Sequence, residues 1–145
     1  MKTRKIIATI FIIIAIVLGV IFYTKIDFPI GLEPYFKKAF YGQFGPFAIC
    51  IELLIAGIYL FNKHPKSNFA LALFGFTALL DPIFNTIGLF TSIVPTYAMV
   101  LFAICSLIAL WLAFSNTFKL GRISLIGVTA SFILGIAVEL FFNYL

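Results

Sequence analysis

Three carboxylates, Glu52, Asp81 and Glu139, stand inside long apolar runs, where a water-soluble chain seldom puts them. An ionisable side chain in hydrocarbon is expensive, so it faces the interior of a helical bundle or a water-filled cavity and marks an ion or proton pathway. Around Asp81 the spacing is helical: Thr77 and Asn85 lie one turn to either side, and Gly88 continues that face as a polar stripe. Pro82 follows and has no N–H, which leaves the carbonyl of Ala78 without its helical partner and puts a free oxygen beside the carboxylate, suited to a water or a cation. The plainer alternative is a proline kink repaired by neighbouring helices.

Glu139 ends a different pattern. Gly127, Ser131 and Gly135 recur every four residues and lead on to Glu139 and Asn143, a flat stripe against which another helix can lie closely, within the chain or in a second copy. Ala48, Glu52 and Ala56 repeat the pattern more weakly. A helix carrying Asp81 and packed between these stripes would bring Glu52, Asp81, Asn85 and Glu139 together in an outward-opening polar cavity, with Thr77 as a further ligand candidate. No lysine or arginine lies deep enough in an apolar run to neutralise Asp81.

Other chemistries find little support. The single histidine, His64, sits in a short basic loop beside Pro65, which removes metal or haem ligation by histidine pairs. The sequence contains no Gly-x-Ser-x-Gly elbow, phosphate loop or Cys-x-x-Cys, and Cys50 and Cys105 lie in apolar runs as packing residues. No cofactor, metal or catalytic residue is expected, and an enzyme is the less favoured class, although Asp81 with Glu52 forms a carboxyl pair of the kind that could act on a lipid.

The elements that must position these residues are apolar helices. Of 145 residues 63% are hydrophobic and 10% charged, with a mean hydropathy of +1.19, whereas soluble domains carry about a quarter charged residues. Apolar runs cover residues 6–23, 44–61, 69–90, 97–114 and 123–142, each long enough to cross a bilayer as a helix, and none alternates as a barrel strand does. The expectation is one all-α domain over 1–145, a polytopic transmembrane bundle of about five spanning helices. The first run follows a basic start but lacks a small-residue cleavage site, so it reads as retained. Between the first two runs, Leu32, Tyr35, Phe36, Ala39 and Phe40 fall on one helical face, which predicts a short amphipathic interfacial helix over 34–41 in the first external loop.

Lys2, Arg4, Lys5, Lys63, Lys66, Lys119 and Arg122 fall on one side of such a bundle, and Lys25, Lys37 and Lys38 on the other. The basic side is cytoplasmic by the positive-inside rule, which puts the N-terminus inside and the C-terminus outside. The net charge of +5 is thereby explained without nucleic acid. Counted at helical rise from the external ends of the runs, Glu52 lies about 12 Å deep, Asp81 about 14 Å and Glu139 about 5 Å.

Two functional classes fit. One is an inner-membrane protein that transports or conducts a cation or proton through the acidic cavity. The other is a non-catalytic accessory subunit that binds another membrane protein or a lipid. The bilayer is the expected partner of either, with a homo-oligomer or a larger membrane complex as the assembly. The topology has a direct test: cysteines introduced at Lys63 or Lys66 are expected to resist a membrane-impermeant maleimide in intact cells while one at Lys25 reacts, and the opposite pattern reverses the orientation.

Overall fold

In the computed structural model the described residues are 2–26, 44–88, 95–115 and 123–143, with Gly31, Glu33 and Phe118. They form five helices, α1 (Lys2–Thr24), α2 (Gly45–Phe61), α3 (Ser67–Thr86), α4 (Thr96–Ser115) and α5 (Leu125–Asn143), and no strand occurs among them. The amphipathic segment 34–41 and the basic residues Lys37, Lys38, Lys119 and Arg122 lie outside the described residues. Three helices, over Thr3–Thr24, Ser67–Thr86 and Thr96–Ser115, are long and apolar enough to span a membrane, while Gly45–Phe61 and Leu125–Phe141 are apolar but shorter.

Local chemistry sets the helix ends. Pro46 occupies the first turn of α2, where its missing N–H costs nothing. Ser124 caps α5, its Oγ accepting from the amide of Gly127 at 3.0 Å. The helix α3 stops at Thr86, short of the apolar run that continues to residue 90. Gly88 adopts a left-handed φ of +82° and donates its amide to the carbonyl of Asn85 at 3.3 Å, closing the helix with a turn that favours glycine. Gly88 therefore ends the helix rather than extending its polar face.

Residue-to-residue contacts fix the directions of the helices. Arg4 reaches Leu60 and Phe61, Gly57 lies against Ala8 and Ile12, and the ring of Tyr23 meets that of Phe47 at 6.2 Å, so α1 and α2 run antiparallel despite the long connection between them. At Gly57 a β-carbon would stand 2.8 Å from Ile12 Cγ1 and 3.3 Å from the backbone of Ala8 and Ile12. Such close approach of backbones is how small residues join helices where no hydrophobic force operates between them. Arg4, buried and only 2% exposed, gives its Nη1 to the carbonyls of Leu60 and Phe61, so a guanidinium satisfies the end of α2 where the helix dipole is negative.

The middle of the molecule belongs to α3, which packs on α2, α4 and α5. Against α4 the close point is Gly75, beside the carbonyl of Ser106 and the side chain of Leu110. Phe74 is edge-on to Phe102 at 6.3 Å, and Phe102 also meets Phe22 of α1 at 6.4 Å. On the other side Phe76 stands edge-on to Phe132 of α5 at 5.3 Å. The outward faces remain apolar, with Ile6, Ile10, Ile13, Ile16, Val17 and Val20 all about half exposed along α1; a surface of that kind belongs in lipid or against a partner.

Replacing Gly57 with leucine is expected to destabilise the protein by about 1–3 kcal/mol through overpacking at Ala8 and Ile12. Gly19→Ala is expected to be nearly neutral or slightly stabilising, because its new methyl would meet Cys50 and Phe47 at an ordinary 3.8 Å. Thermal unfolding in detergent distinguishes the two outcomes.

Candidate functional site

The close contact between α3 and α5 lies at Gly135. A β-carbon there would come to 3.2 Å from both the amide nitrogen and the hydroxyl of Thr77. Four residues further along each helix the side chains of Asp81 and Glu139 are hydrogen-bonded to each other. Because both contacts step forward together, α3 and α5 run in the same direction and present one face to each other. Two carboxylates cannot hydrogen-bond to each other, so this contact is satisfied only when at least one of the two acids carries a proton.

Glu52 enters from α2, which runs antiparallel to α3, at the level of Thr77. Its carboxyl is hydrogen-bonded to the Thr77 side chain and lies close enough to Glu139 to interact electrostatically. Its second oxygen, Oε2, is buried and has no hydrogen-bond partner. Thr77 is fully buried, and its hydroxyl donates to the carbonyl of Leu73 at 2.8 Å. Asp81 and Glu139 are each only 2% exposed. None of the helices α2 to α5 contains a lysine, arginine or histidine, so the cluster has no cation of its own on the helices that build it.

The structure thus brings Glu52, Thr77, Asp81 and Glu139 together, with Ser131 and Gly135 buried alongside. Ser131 turns its hydroxyl back to the carbonyl of Val128 at 2.8 Å. Asn85 is exposed, one turn beyond Asp81 towards the end of α3. Gly127 is partly buried, and the nearest atoms to its absent β-carbon belong to Ile123 and Ser124 of its own flank, so the stripe on α5 meets α3 at Gly135 and not at its first glycine. On α2, Ala56 is fully buried and Ala48 partly so.

The contact between Asp81 and Glu139 also revises their relative depth. Taking the apolar runs as the helices made Asp81 much the deeper of the two. With α3 ending at Thr86 and α5 reaching Asn143, both carboxyls lie roughly 6–8 Å from the ends of their helices. No group of three or more His, Cys, Asp or Glu side chains arranged to hold a metal ion occurs among the described residues.

Arg4 is the functional-looking residue that sequence reasoning misses: it reads as one more cytoplasmic charge, and only the antiparallel seating of α1 on α2 reveals the carbonyls it serves. In comparisons with known proteins, no family model, no curated protein and no solved structure matches this chain.

A double-mutant cycle tests the carboxyl pair. Asp81→Asn and Glu139→Gln are expected to be coupled by about 1 kcal/mol in unfolding free energy, within the range for residues in contact. Asp81→Asn paired with the exposed Glu33→Gln is expected to be additive.

Proposed function

We propose that this chain is a multi-pass integral membrane protein of five spanning helices that moves protons, or a cation in exchange for them, across the bilayer, with Glu52, Asp81 and Glu139 as its binding groups. The observation that carries this reading is the hydrogen-bonded Asp81–Glu139 pair, with Glu52 beside it on helices that hold no basic residue. A purely structural polar contact in hydrocarbon is served by serine, threonine or asparagine at far lower cost. Three carboxyls in one place make sense where protons must come and go.

A hydrogen bond between two carboxyls needs a proton on at least one of them, which favours proton chemistry over a tightly held metal ion. On the orientation given by the basic residues, Asp81 and Glu139 lie towards the external ends of α3 and α5, so the site loads from outside. Ser106 and Ser131, both fully buried, are polar groups further along the same bundle.

A second reading, the accessory subunit, draws on α5. Its Leu125 and Ile126 are each 81% exposed and Ile133 is 57% exposed, a face that packs against none of the described helices. Under mild detergent such a subunit would bring a stoichiometric partner with it, whereas a carrier would purify alone or as a closed homo-oligomer.

The transport reading is tested by reconstituting the chain in liposomes loaded with a pH-sensitive dye and imposing a pH or monovalent-cation gradient. Wild-type protein is expected to carry a flux that Asp81→Asn and Glu139→Gln each reduce by at least about a hundredfold, the scale of a lost acid–base group. Glu33→Gln is expected to retain the flux. A wild-type flux no greater than that of empty liposomes, or one indifferent to Asp81→Asn, overturns the reading.

A further inference from the structure

The residue at the centre of the cluster is not an acid. Thr77 has one hydroxyl proton and two neighbouring acceptors, the carbonyl of Leu73 at 2.8 Å and the carboxyl of Glu52. It is fully buried, and Gly135 of α5 lies against it, a β-carbon there standing 3.2 Å from its hydroxyl. Glu52 Oε2 is buried close by without a partner.

Resting on the proton-site reading above, we infer that Thr77 is a positioning residue whose hydroxyl switches direction with the protonation of Glu52 and so ties that acid to the Asp81–Glu139 pair. Two arrangements satisfy the hydroxyl. With Glu52 protonated, its O–H donates to Thr77 Oγ1 while the Thr77 O–H donates to Leu73, as the 2.8 Å contact records. When Glu52 gives its proton to water or to the pair, the carboxylate becomes an acceptor only, and the Thr77 O–H turns to it. The carbonyl of Leu73 then loses its extra hydrogen bond, and the proton is accounted for on whichever group received it.

The groups that face Glu52 are few. Among the described residues Thr77 of α3 is hydrogen-bonded to it, and Glu139 of α5, itself paired with Asp81, acts on it electrostatically; from α1, the basic residues Lys2, Arg4 and Lys5 all lie in its first turns, and Arg4 is occupied at Leu60 and Phe61, about two turns along α2 from Glu52. Among the described residues no cation is placed to take over the role of Thr77. Leu73, Thr77 and Asp81 occupy successive turns of one face of α3, so a hydrogen bond made or released at Thr77 bears on the segment that presents Asp81.

The test is infrared difference spectroscopy of the full chain in lipid between acidic and alkaline pH, with the Glu52 carboxyl band identified by its disappearance in Glu52→Gln. Thr77→Val preserves shape and removes the hydroxyl; it is expected to shift the Glu52 band to higher frequency and to lower proton flux by about tenfold, the factor of one hydrogen bond. Thr77→Ser restores the hydroxyl and is expected to restore both. A Glu52 band at the same position in wild type and Thr77→Val, or a Thr77→Ser protein that behaves as Thr77→Val does, overturns the role of Thr77 while leaving the proton site standing. A wild-type chain with no pH-dependent carboxyl band and no flux overturns both.

Discussion

At Gly135 the backbone of α5 comes so near α3 that a β-carbon there would stand 3.2 Å from both the amide nitrogen and the hydroxyl of Thr77, tighter than an ordinary contact. That contact decides the rest of the site. Two helices held this closely and running in the same direction have no freedom to slide, because a slip of one residue would swing the stripe on α5 by about 100° and press a larger side chain into the gap. Once Gly135 lies on Thr77, Glu139 lies on Asp81. The carboxyl pair is thus a consequence of backbone packing one turn earlier, and the ring of Phe76 against Phe132 at 5.3 Å fills the flank of the same joint.

Bringing three acids together has a cost that the surrounding packing must offset. Removing a carboxylate from water costs several kcal/mol even after relaxation, and more where no cation compensates. A proton on either Asp81 or Glu139 would remove one of those charges and supply the donor that their contact needs. The remainder of the load falls on the scaffold: α3 is gripped by close backbone contact at Gly75 on one side and Gly135 on the other, with the fully buried Phe74 and Leu71 behind it. A helix held on three faces tolerates a polar turn that an edge helix would not. It is consistent that the acid-bearing turn with an internal proline, at Asp81 and Pro82, belongs to the central helix.

Much of this was legible in the sequence for a simple reason. Apolar runs of this length leave only the helix as a means of satisfying backbone hydrogen bonds, and a four-residue repeat of small or polar residues can only mark a face. The runs around residues 6–23, 44–61 and 97–114 match α1, α2 and α4 to within a few residues. The end of α3 was obscured because Ile87, Leu89 and Phe90 are as apolar as the helix before them, and hydropathy cannot see that Gly88 takes a left-handed φ. Relative depth failed with it, since Asp81 was measured from the wrong helix end. Whether Glu52 would lean towards Thr77 or away, and which of the three small residues on α5 would touch α3, depend on rotation angles between helices that no pattern in a single chain encodes.

Arg4 shows how one residue can carry two kinds of information at once. On the sequence it reads as a topological signal, one of the basic residues that cluster at alternate ends of the apolar runs. In the fold its guanidinium is buried at the carbonyl end of α2, where the antiparallel seating of α1 brings a cation to the negative end of a neighbouring helix dipole. That use does not weaken the topological reading. With Arg4 set aside, the sequence still counts Lys2, Lys5, Lys63, Lys66, Lys119 and Arg122 at one set of run ends against Lys25, Lys37 and Lys38 at the other, so the bias read from the sequence keeps its sign. Arg4 also divides α2 along its length: the guanidinium joins α1 to α2 at Leu60 and Phe61, and Glu52 stands about two turns from that clamp, on a helix with no basic residue of its own.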